Sequence, residues 1–304
     1  GTAGTRFARC LSPSNCTLPS FASLFPPRHE IEHGLNALGV LDENQPFLVE
    51  ALSQAYITIN FNGGCWMRFQ SGFNRGFDHV REGGYFNQQT TVSAKSLLEG
   101  ATTLLEAAEF PATFLFLHTY QVHTPYEPDL DLLRRLDPNH PSLQSGTFPI
   151  DPPQVTSNQT EKDQYFRLYQ GEVAVLDREV ERFFARLKRS GLDGQTLFVL
   201  LGDHGEKFGG HGVWEHGATL FKNEIRVPLL FRFPRGEYAG RSIGAPVSLL
   251  DVFPTLLDWA GLPAPAVPLA GVSLMPMLQS GASRPLPVVS SSMNCWYLPE
   301  TPPQ

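Results

Sequence analysis

"TLFVLLGDHGEKFGGHGVWEHG", residues 196–217, joins a short apolar run to a loop rich in glycine, histidine and acidic residues. The apolar run predicts a buried strand over 196–201, because it is bounded by polar and glycine residues and is too short for a helix. A surface turn needs one or two glycines, whereas this loop repeats them throughout. We therefore expect the loop to fold closely around something small and charged.

Asp203 and His204 lie one glycine beyond this strand, where ligands bind in open α/β sheets. Neighbouring strand side chains point to opposite faces, but the glycines on either side break the strand and let these two side chains converge. A carboxylate oxygen beside an imidazole nitrogen suits a divalent metal such as zinc or manganese, and calcium less well. The alternative is a glycine-rich turn in which Asp bonds locally. The histidines that follow, His211 and His216, favour the metal.

The stretch "FLFLHTYQVHTPYEP", residues 114–128, repeats this arrangement, with a strand that runs into two histidines. His123 lies beyond the strand and can reach a ligand, whereas His118 closes the strand and is expected to lie in the core or behind the site. An isolated loop histidine more often has a surface or structural role. Two strands that deliver histidines to one sheet edge favour a functional role for His123.

The segment "SNCTLPSFASL", residues 14–24, has the composition of a helix start. Ser and Thr are N-cap residues, and Pro belongs in the first turn. A capped helix explains the pattern without any function. However, a hydroxyl at a helix N-terminus also faces free backbone N–H groups and the positive end of the helix dipole, which bind phosphate or sulfate. Thr17 is therefore a candidate nucleophile, activated by a metal on Asp203 and His204.

Apolar runs alternate with helical patterns along the chain, which predicts an α/β layered fold. Continuous hydrophobicity predicts buried strands of a parallel or mixed sheet at 56–61, 113–118, 196–201 and 227–233. Helices are predicted at 92–110 and 248–261, and a third along a stripe formed by Tyr169, Val173, Leu176, Val180, Phe184 and Leu187. The segment 137–163 is rich in Pro, Ser and Asn and is expected to be a long surface excursion.

The bulk composition describes a globular chain with a sizeable core. The 304 residues are 41% hydrophobic and 17% charged, with a formal net charge of −7. No run of Lys or Arg exceeds two residues, which argues against a nucleic-acid partner. No apolar stretch approaches the length of a membrane span, and no signal peptide is visible. The cysteines, Cys10, Cys16, Cys65 and Cys295, are too few for a disulfide framework; a Cys10–Cys16 bridge stays open.

Taken together, these segments resemble the sulfatases of the alkaline phosphatase superfamily. The resemblance extends to "GFNRGFDHV" (72–80), "LYQGEVAVLDREV" (168–180) and "ATLFKNEIRVPLLFRFP" (218–234), in the family's order. It implies a three-layer α/β/α fold with a mostly parallel central sheet, alkaline phosphatase-like. It also implies that residues 1–304 are a single catalytic domain, which lacks the family's first metal-binding strand and the end of its small C-terminal sheet.

The resemblance also implies roles for individual residues. Asp203 and His204 match the family's C-terminal metal ligands, and Thr17 stands at the position of the nucleophile that also contacts the metal. His123 matches the histidine that assists the leaving oxygen. His216 matches a Lys or His that holds the non-bridging oxygens. The implied cofactor is a divalent metal ion: calcium, magnesium, manganese or zinc.

The nucleophile segment departs from the family pattern. Sulfatases carry Cys or Ser, any residue, Pro, any residue and Arg, and the first residue becomes formylglycine. This chain has Thr17 and Phe21 at the first and last of these positions, and Cys16 is one position too early. Threonine is not converted to formylglycine, so this segment looks more like the phosphotransferring branches.

The expected function is therefore a metal-dependent hydrolysis of sulfate or phosphate esters through a covalent intermediate on Thr17. A phosphodiesterase or a phosphoethanolamine-type phosphotransferase is the alternative, and a non-catalytic anion-binding relative is a further one. The expected partner is a small-molecule, glycan or lipid ester. The sequence leaves the compartment open, and an extracytoplasmic location, periplasmic or membrane-anchored through segments outside this chain, is the expectation.

Overall fold

A computed structural model describes residues 3–35, 39–64, 71–83, 92–107, 112–136, 138, 159–209 and 214–292. The strands are β1 Thr5–Leu11, β2 Ile57–Asn62, β3 His79–Glu82, β4 Thr113–His118, β5 Phe198–Leu201, β6 Lys207–Phe208, β7 Trp214–Glu215, β8 Arg226–Val227, β9 Leu229–Arg232 and β10 Ser242–Ser248. The α-helices are α1 Thr17–Leu24, α2 Glu30–His33, α3 Leu48–Leu52, α4 Ala94–Ala107, α5 Leu130–Leu136, α6 Gln159–Arg189, α7 Lys222–Ile225, α8 Val252–Ala260 and α9 Met275–Ser280.

The strands form a mixed sheet and a parallel sheet, with a short hairpin beside them. The mixed sheet has the order β10-β1-β9-β5, with β8 also paired to β1. β10 is parallel to β1, and β9 is antiparallel to both β1 and β5. The parallel sheet has the order β3-β2-β4, and β6 pairs with β7. Since β1 and β5 both oppose β9, they run the same way and their carboxyl ends share one edge.

The largest core cluster joins α1 to the mixed sheet. All eight residues of α1 are buried, because the helix packs between β1, β4 and the helices that follow it. Phe25, just beyond α1, is 1% exposed and its ring stacks on Phe47 with centroids 5.0 Å apart. The same ring makes edge contacts with Phe73 and Phe116. This aromatic packing holds α1 against the sheet edge that carries the site.

Truncating this aromatic centre is expected to destabilise the fold. Phe25→Ala should lower the free energy of unfolding by about 3–5 kcal/mol, because it removes a buried ring and leaves a cavity. Urea denaturation followed by circular dichroism measures the difference. Ile31→Ala on α2 is the matched control, since Ile31 is 80% exposed, and it should change stability by less than about 0.5 kcal/mol. Equal losses in the two variants would contradict the assignment of the core.

The predicted strands are confirmed, with shifted bounds. The runs at 56–61 and 113–118 form β2 and β4. The run at 196–201 becomes a strand only from Phe198, because Thr196 bonds back to the carbonyl of Leu192. The run at 227–233 divides into β8 and β9 around Pro228, whose missing N–H interrupts the ladder.

The predicted helices form, but the buried face of α6 is not the predicted apolar stripe. Of the stripe residues only Leu187 is buried, and Val173 is exposed. The buried face is rotated and consists of Tyr165, Leu168, Gly171, Glu172, Glu179, Phe183 and Leu187. Two of these residues are acids: Glu172 accepts from Gln121 and from the Glu127 N–H, and Glu179 pairs with Arg178 and Arg182, which a hydrophobic pattern does not reveal. The excursion predicted at 137–163 lies outside the described residues except for residue 138 and the first turns of α6.

Cys10 and Cys16 do not form a bridge with each other. Cys10 is a buried free thiol, whereas Cys16 is disulfide-bonded. Burial raises the pKa of the Cys10 thiol, which keeps it in the unreactive protonated form. Among the described helices, none combines the length and hydrophobicity that a bilayer crossing requires.

Candidate active site

The start of α1 presents Thr17 without a conventional cap. Residue Cys16 occupies the N-cap position in extended conformation, and its side chain caps no helical N–H. The Ser or Thr cap predicted from the sequence is therefore not made. Pro19 lacks an N–H, so the N–H groups of Thr17 and Leu18 remain at the positive end of the helix dipole. Such a terminus favours an anion beside the Thr17 hydroxyl.

Asp203 and His204 follow β5 and lie against the same helix. The Ser20 hydroxyl, on α1, donates to the Asp203 carbonyl at 2.7 Å, and the Ser12 hydroxyl donates to the same oxygen. The two hydroxyl oxygens are 3.0 Å apart. Ser12 follows β1 directly, so these bonds join the carboxyl ends of β1 and β5. They hold the loop after β5 at a defined position relative to α1.

The Thr17 hydroxyl contacts His204 directly. His204 Nδ1 donates to the Gly205 carbonyl at 2.8 Å, which leaves the lone pair on Nε2. Thr17 Oγ1 lies 3.1 Å from that Nε2 and donates to it. Burial is the largest effect on the pKa of His204 and lowers it, although the Asp203 charge opposes the shift. The Nε2 lone pair of a neutral imidazole thus faces the threonine hydroxyl, where it accepts a hydrogen bond and where a cation bound to it would contact the same hydroxyl.

The Asp203 carboxylate completes this group of donors. Its Oδ2 atom lies 3.5 Å from His204 Nε2. Burial alone would raise the pKa of Asp203, but the neighbouring imidazoles of His204 and His118 outweigh burial and lower it. Asp203 is therefore a carboxylate at neutral pH, enclosed by histidines and close to the Thr17 hydroxyl.

His216 lies on the other side of His204 and is held by a buried acid. The two imidazole rings have centroids 4.1 Å apart. His216 Nδ1 lies 3.1 Å from Glu206 Oε2. Burial lowers the pKa of His216 to about 4 and raises the pKa of Glu206 to about 7. With a neutral imidazole this contact is a hydrogen bond and not an ion pair. Glu215 directly precedes His216 and has a φ of 60°. This strained backbone conformation sets the direction of the chain at His216.

His123 and His118 take the places expected for them. The His123 ring packs edge-on to His216 at 5.6 Å and to Tyr120 at 5.4 Å. Its Nδ1 donates to the Thr124 carbonyl at 2.7 Å, so Nε2 is the nitrogen that can meet a substrate. His118 is buried behind them, 3.1 Å from Asn62 Oδ1, and burial lowers its pKa to about 4.

The structure therefore brings together the residues that the sequence singled out from three separate segments. A continuous chain of contacts runs from Thr17 to His204, from His204 to His216, and from His216 to His123. His211 lies outside the described residues. The two strands predicted to share one sheet edge lie in different sheets, since β5 belongs to the mixed sheet and β4 to the parallel sheet, but the loops that follow them meet where His123 contacts His216.

Several residues of the site were not predicted. Glu206 holds His216, and the Ser12 and Ser20 hydroxyls hold the Asp203 carbonyl. Glu206 could have been noticed as an acid inside the glycine-rich loop. The serines carry no signal of their own, because their partner is a main-chain oxygen about 190 positions away in the sequence.

The donor atoms of the site suit one side of a divalent cation. An imidazole nitrogen on His204, a carboxylate oxygen on Asp203 and the Thr17 hydroxyl lie close together, a set that zinc, manganese and related ions accept. In the described ranges no group of three His, Cys, Asp and Glu side chains converges on one point. The described residues would thus provide part of the coordination sphere of such an ion.

Sequence comparison relates the chain to sulfatases. It is 38% identical over 130 residues to a steryl-sulfatase of Mus musculus, a match that covers 38% of this chain and 21% of the relative. It is 32% identical over 122 residues to an N-acetylglucosamine-6-O-sulfatase of Bacteroides thetaiotaomicron, covering 40% of this chain and 22% of the relative. The matched segments thus span about a fifth of the length of these curated relatives.

Solved structures share the fold. A protein solved in complex with its substrate D-glucosamine-2-N,6-O-disulfate superposes with a TM-score of 0.74 at 20% identity, over 93% of this chain and 74% of the other. A phosphonate monoester hydrolase from Silicibacter pomeroyi gives 0.71 at 20% identity, over 93% and 71%. These likenesses identify an alkaline phosphatase-like α/β fold. The family model for sulfatases matches residues 2–262, and the chain accordingly belongs to the sulfatase family.

Proposed function

We propose that this protein hydrolyses sulfate or phosphate esters through a covalent intermediate on Thr17, with a divalent metal ion as cofactor. The observation that carries the proposal is the Thr17 hydroxyl at the uncapped start of α1, 3.1 Å from His204 Nε2. A nucleophile, a nitrogen that would hold the activating ion beside it and an anion-binding helix terminus coincide there. The alternative from the sequence, a capped helix without a function, does not explain why these groups lie beside Thr17.

In the first step Thr17 Oγ1 attacks the central sulfur or phosphorus atom of the ester. A bond forms to Oγ1, the bond to the alcohol oxygen breaks, and the Thr17 proton leaves to solvent water, because the lone pair of His204 Nε2 would be taken up by the divalent ion. His123 Nε2 is placed to give a proton to the departing oxygen. Water then attacks the same central atom, which breaks its bond to Oγ1, restores the hydroxyl and releases the inorganic anion.

The charge that develops on the non-bridging oxygens meets donors of this chain. The N–H groups at the start of α1 point towards the anion. His216 lies beside His204, and Glu206 fixes the orientation of its ring. Asp203, His204 and Thr17 would hold the divalent ion, which would supply electrostatic stabilisation of the reacting oxygens.

Threonine favours phosphate over sulfate as the group transferred. A formylglycine hydrate expels sulfate by collapsing to the aldehyde, whereas Thr17 has no second hydroxyl and its adduct must be released by water. In-line displacement of a phosphoryl group by water meets no such obstacle. Phe21 supports this assignment, because its buried ring, 5.1 Å from that of His118, fills the position where formylglycine-forming sequences carry Arg. A phosphodiesterase or a phosphoethanolamine-type phosphotransferase remains the second candidate on the same observation.

The substrate is proposed to be a small-molecule, glycan or lipid ester. The relatives named above include a steryl-sulfatase and an N-acetylglucosamine sulfatase, which act on a lipid and on a sugar by their names. The disulfide at Cys16, directly before the nucleophile, supports an oxidising and hence extracytoplasmic compartment.

Removal of the metal tests the proposed function. We expect EDTA to abolish turnover of p-nitrophenyl phosphate and p-nitrophenyl sulfate, and an added divalent ion to restore it. Asp203→Ala should lose bound metal in elemental analysis, because it removes one of the anchoring oxygens. Asp177→Ala, an exposed acid on α6, is the matched control and should keep the wild-type stoichiometry. Unchanged metal content in Asp203→Ala would contradict the ligand assignment, and a chelator-resistant rate would contradict metal dependence.

A further inference from the structure

A fully buried ion pair lies beside the site and takes no part in the steps described above. Lys207 in β6 and Glu224 in α7 have completely buried side chains, and Lys207 Nζ lies 3.0 Å from Glu224 Oε1. Lys207 Nζ also donates to the Thr219 hydroxyl at 3.2 Å, and that hydroxyl in turn donates to Glu224 Oε1. Burying two opposite charges is costly, so such a pair is weak evidence for stability and calls for another role.

The second carboxylate oxygen of Glu224 reaches two functional segments at once. Its Oε2 accepts the Gly217 N–H at 3.2 Å, directly after His216 in the chain. It also accepts from Asn15 Nδ2 at 3.4 Å, two residues before Thr17. Asn15 Nδ2 donates further to the Thr219 carbonyl at 2.6 Å. One buried carboxylate thus joins the entry to α1 and the His216 loop.

The main chain of α7 adds a third connection. The Gly205 N–H, next to His204, donates to the Glu224 carbonyl, and the Glu206 N–H donates to the Asn223 carbonyl at 3.0 Å. Glu206 is the acid that orients His216. Glu224 therefore bonds to residues within two positions of Thr17, His204 and His216 in the chain.

We propose that the Lys207–Glu224 pair is a positioning device, which sets Thr17 relative to His204 and His216 through Asn15, Gly205 and Gly217. Neither side chain touches the substrate, and Lys207 acts only by holding the carboxylate in the orientation that serves both segments. The inference rests on the proposed function of Thr17. A displacement of about 1 Å in a reacting group costs about 10²-fold in rate, so a small relaxation of this network is measurable.

Steady-state kinetics of Glu224→Gln and Lys207→Met form the main test. Each variant should lower kcat for p-nitrophenyl phosphate about 10²-fold, with KM changed less than about twofold, because the substrate groups remain while their alignment is lost. The double variant Lys207→Met/Glu224→Gln leaves no unpaired buried charge and should recover thermal stability without recovering kcat. Variants that keep kcat within threefold of wild type, or a double variant that recovers it, would overturn the proposal.

A buried pair that makes no hydrogen bond to a described site residue supplies the control. Arg284 and Asp251 have side chains 4% and 0% exposed, with Arg284 Nε 2.7 Å from Asp251 Oδ2. Asp251→Asn should lower the melting temperature by a similar amount while kcat stays within about threefold of wild type, since no site residue is bonded to it in the described part of the chain. A drop in kcat equal to that of Glu224→Gln would show that loss of stability alone explains the effect.

Hydrogen exchange separates this inference from the proposed function. Lys207→Met should speed amide exchange across residues 14–20 about tenfold, although Lys207 reaches that segment only through Glu224. Unchanged exchange there would overturn the positioning role even in a protein without turnover. If wild-type protein hydrolyses none of the sulfate, phosphate and phosphonate esters offered, the proposed function fails, and the exchange result still decides whether the pair connects the two segments.

Discussion

Thr17→Ala is expected to lower kcat/KM for aryl phosphate esters by at least about 10⁴-fold, because it removes the atom that forms the covalent intermediate. Steady-state assays with p-nitrophenyl phosphate measure the loss. Thr17→Ser is the matched control: it keeps the hydroxyl within reach of His204 Nε2 and removes only a methyl group from a buried site. This variant should retain activity within about 10²-fold of wild type.

The intermediate itself can be observed. Mass spectrometry of acid-quenched turnover should find a phosphate-sized adduct on Thr17 in the wild-type protein and none in Thr17→Ala. Full activity in Thr17→Ala would contradict the nucleophile assignment. Faster turnover of aryl sulfates than of aryl phosphates would contradict the preference inferred from the missing second hydroxyl of Thr17.

Much of the fold could be predicted from local patterns. Continuous apolar runs gave β2 and β4 almost to the residue, because strands covered on both faces carry no polar positions. The prediction of the buried face of α6 was wrong, because that face includes the buried side chain of Glu172. Burial raises the pKa of Glu172, whose oxygens accept from Gln121 Nε2 and from the Glu127 N–H, both at 2.6 Å. A hydrophobic stripe does not predict an acid whose partners belong to a distant loop.

In the site, too, residues with a local sequence signal were predicted, and residues that depend on distant partners were not. Asp203, His204 and His123 were identified because each follows a strand end, a feature visible in a short window of sequence. Thr17 was identified as a helix start, and the structure adds that its hydroxyl contacts His204. The residues that hold these groups in place escaped prediction. Asn15 and Glu224 are 209 positions apart, and only the folded chain brings them together.

The second large effect concerns His123 and depends on the leaving group. His123 Nδ1 is occupied by the Thr124 carbonyl, and its ring is held between Tyr120 and His216, so Nε2 is presented at a fixed position. A positioned acid of this kind contributes about 10²–10⁴-fold to the rate. His123→Ala should lose that factor on alkyl phosphate esters, whose alcohols leave poorly without a proton. Nitrophenyl esters should lose less than about tenfold, because nitrophenolate leaves unaided.

The ratio of the two losses is what identifies leaving-group assistance. A histidine that only bound the ester group would lower the rates of both substrates equally, because binding does not depend on the alcohol's acidity. Comparing kcat/KM across esters of graded alcohol pKa therefore separates the two roles, with a steeper dependence expected for His123→Ala than for wild type. His79→Ala, on the exposed strand β3, is the control and should leave the slope unchanged. A parallel loss on every ester in His123→Ala would exclude proton donation by His123 and restrict its part to contact with the ester group.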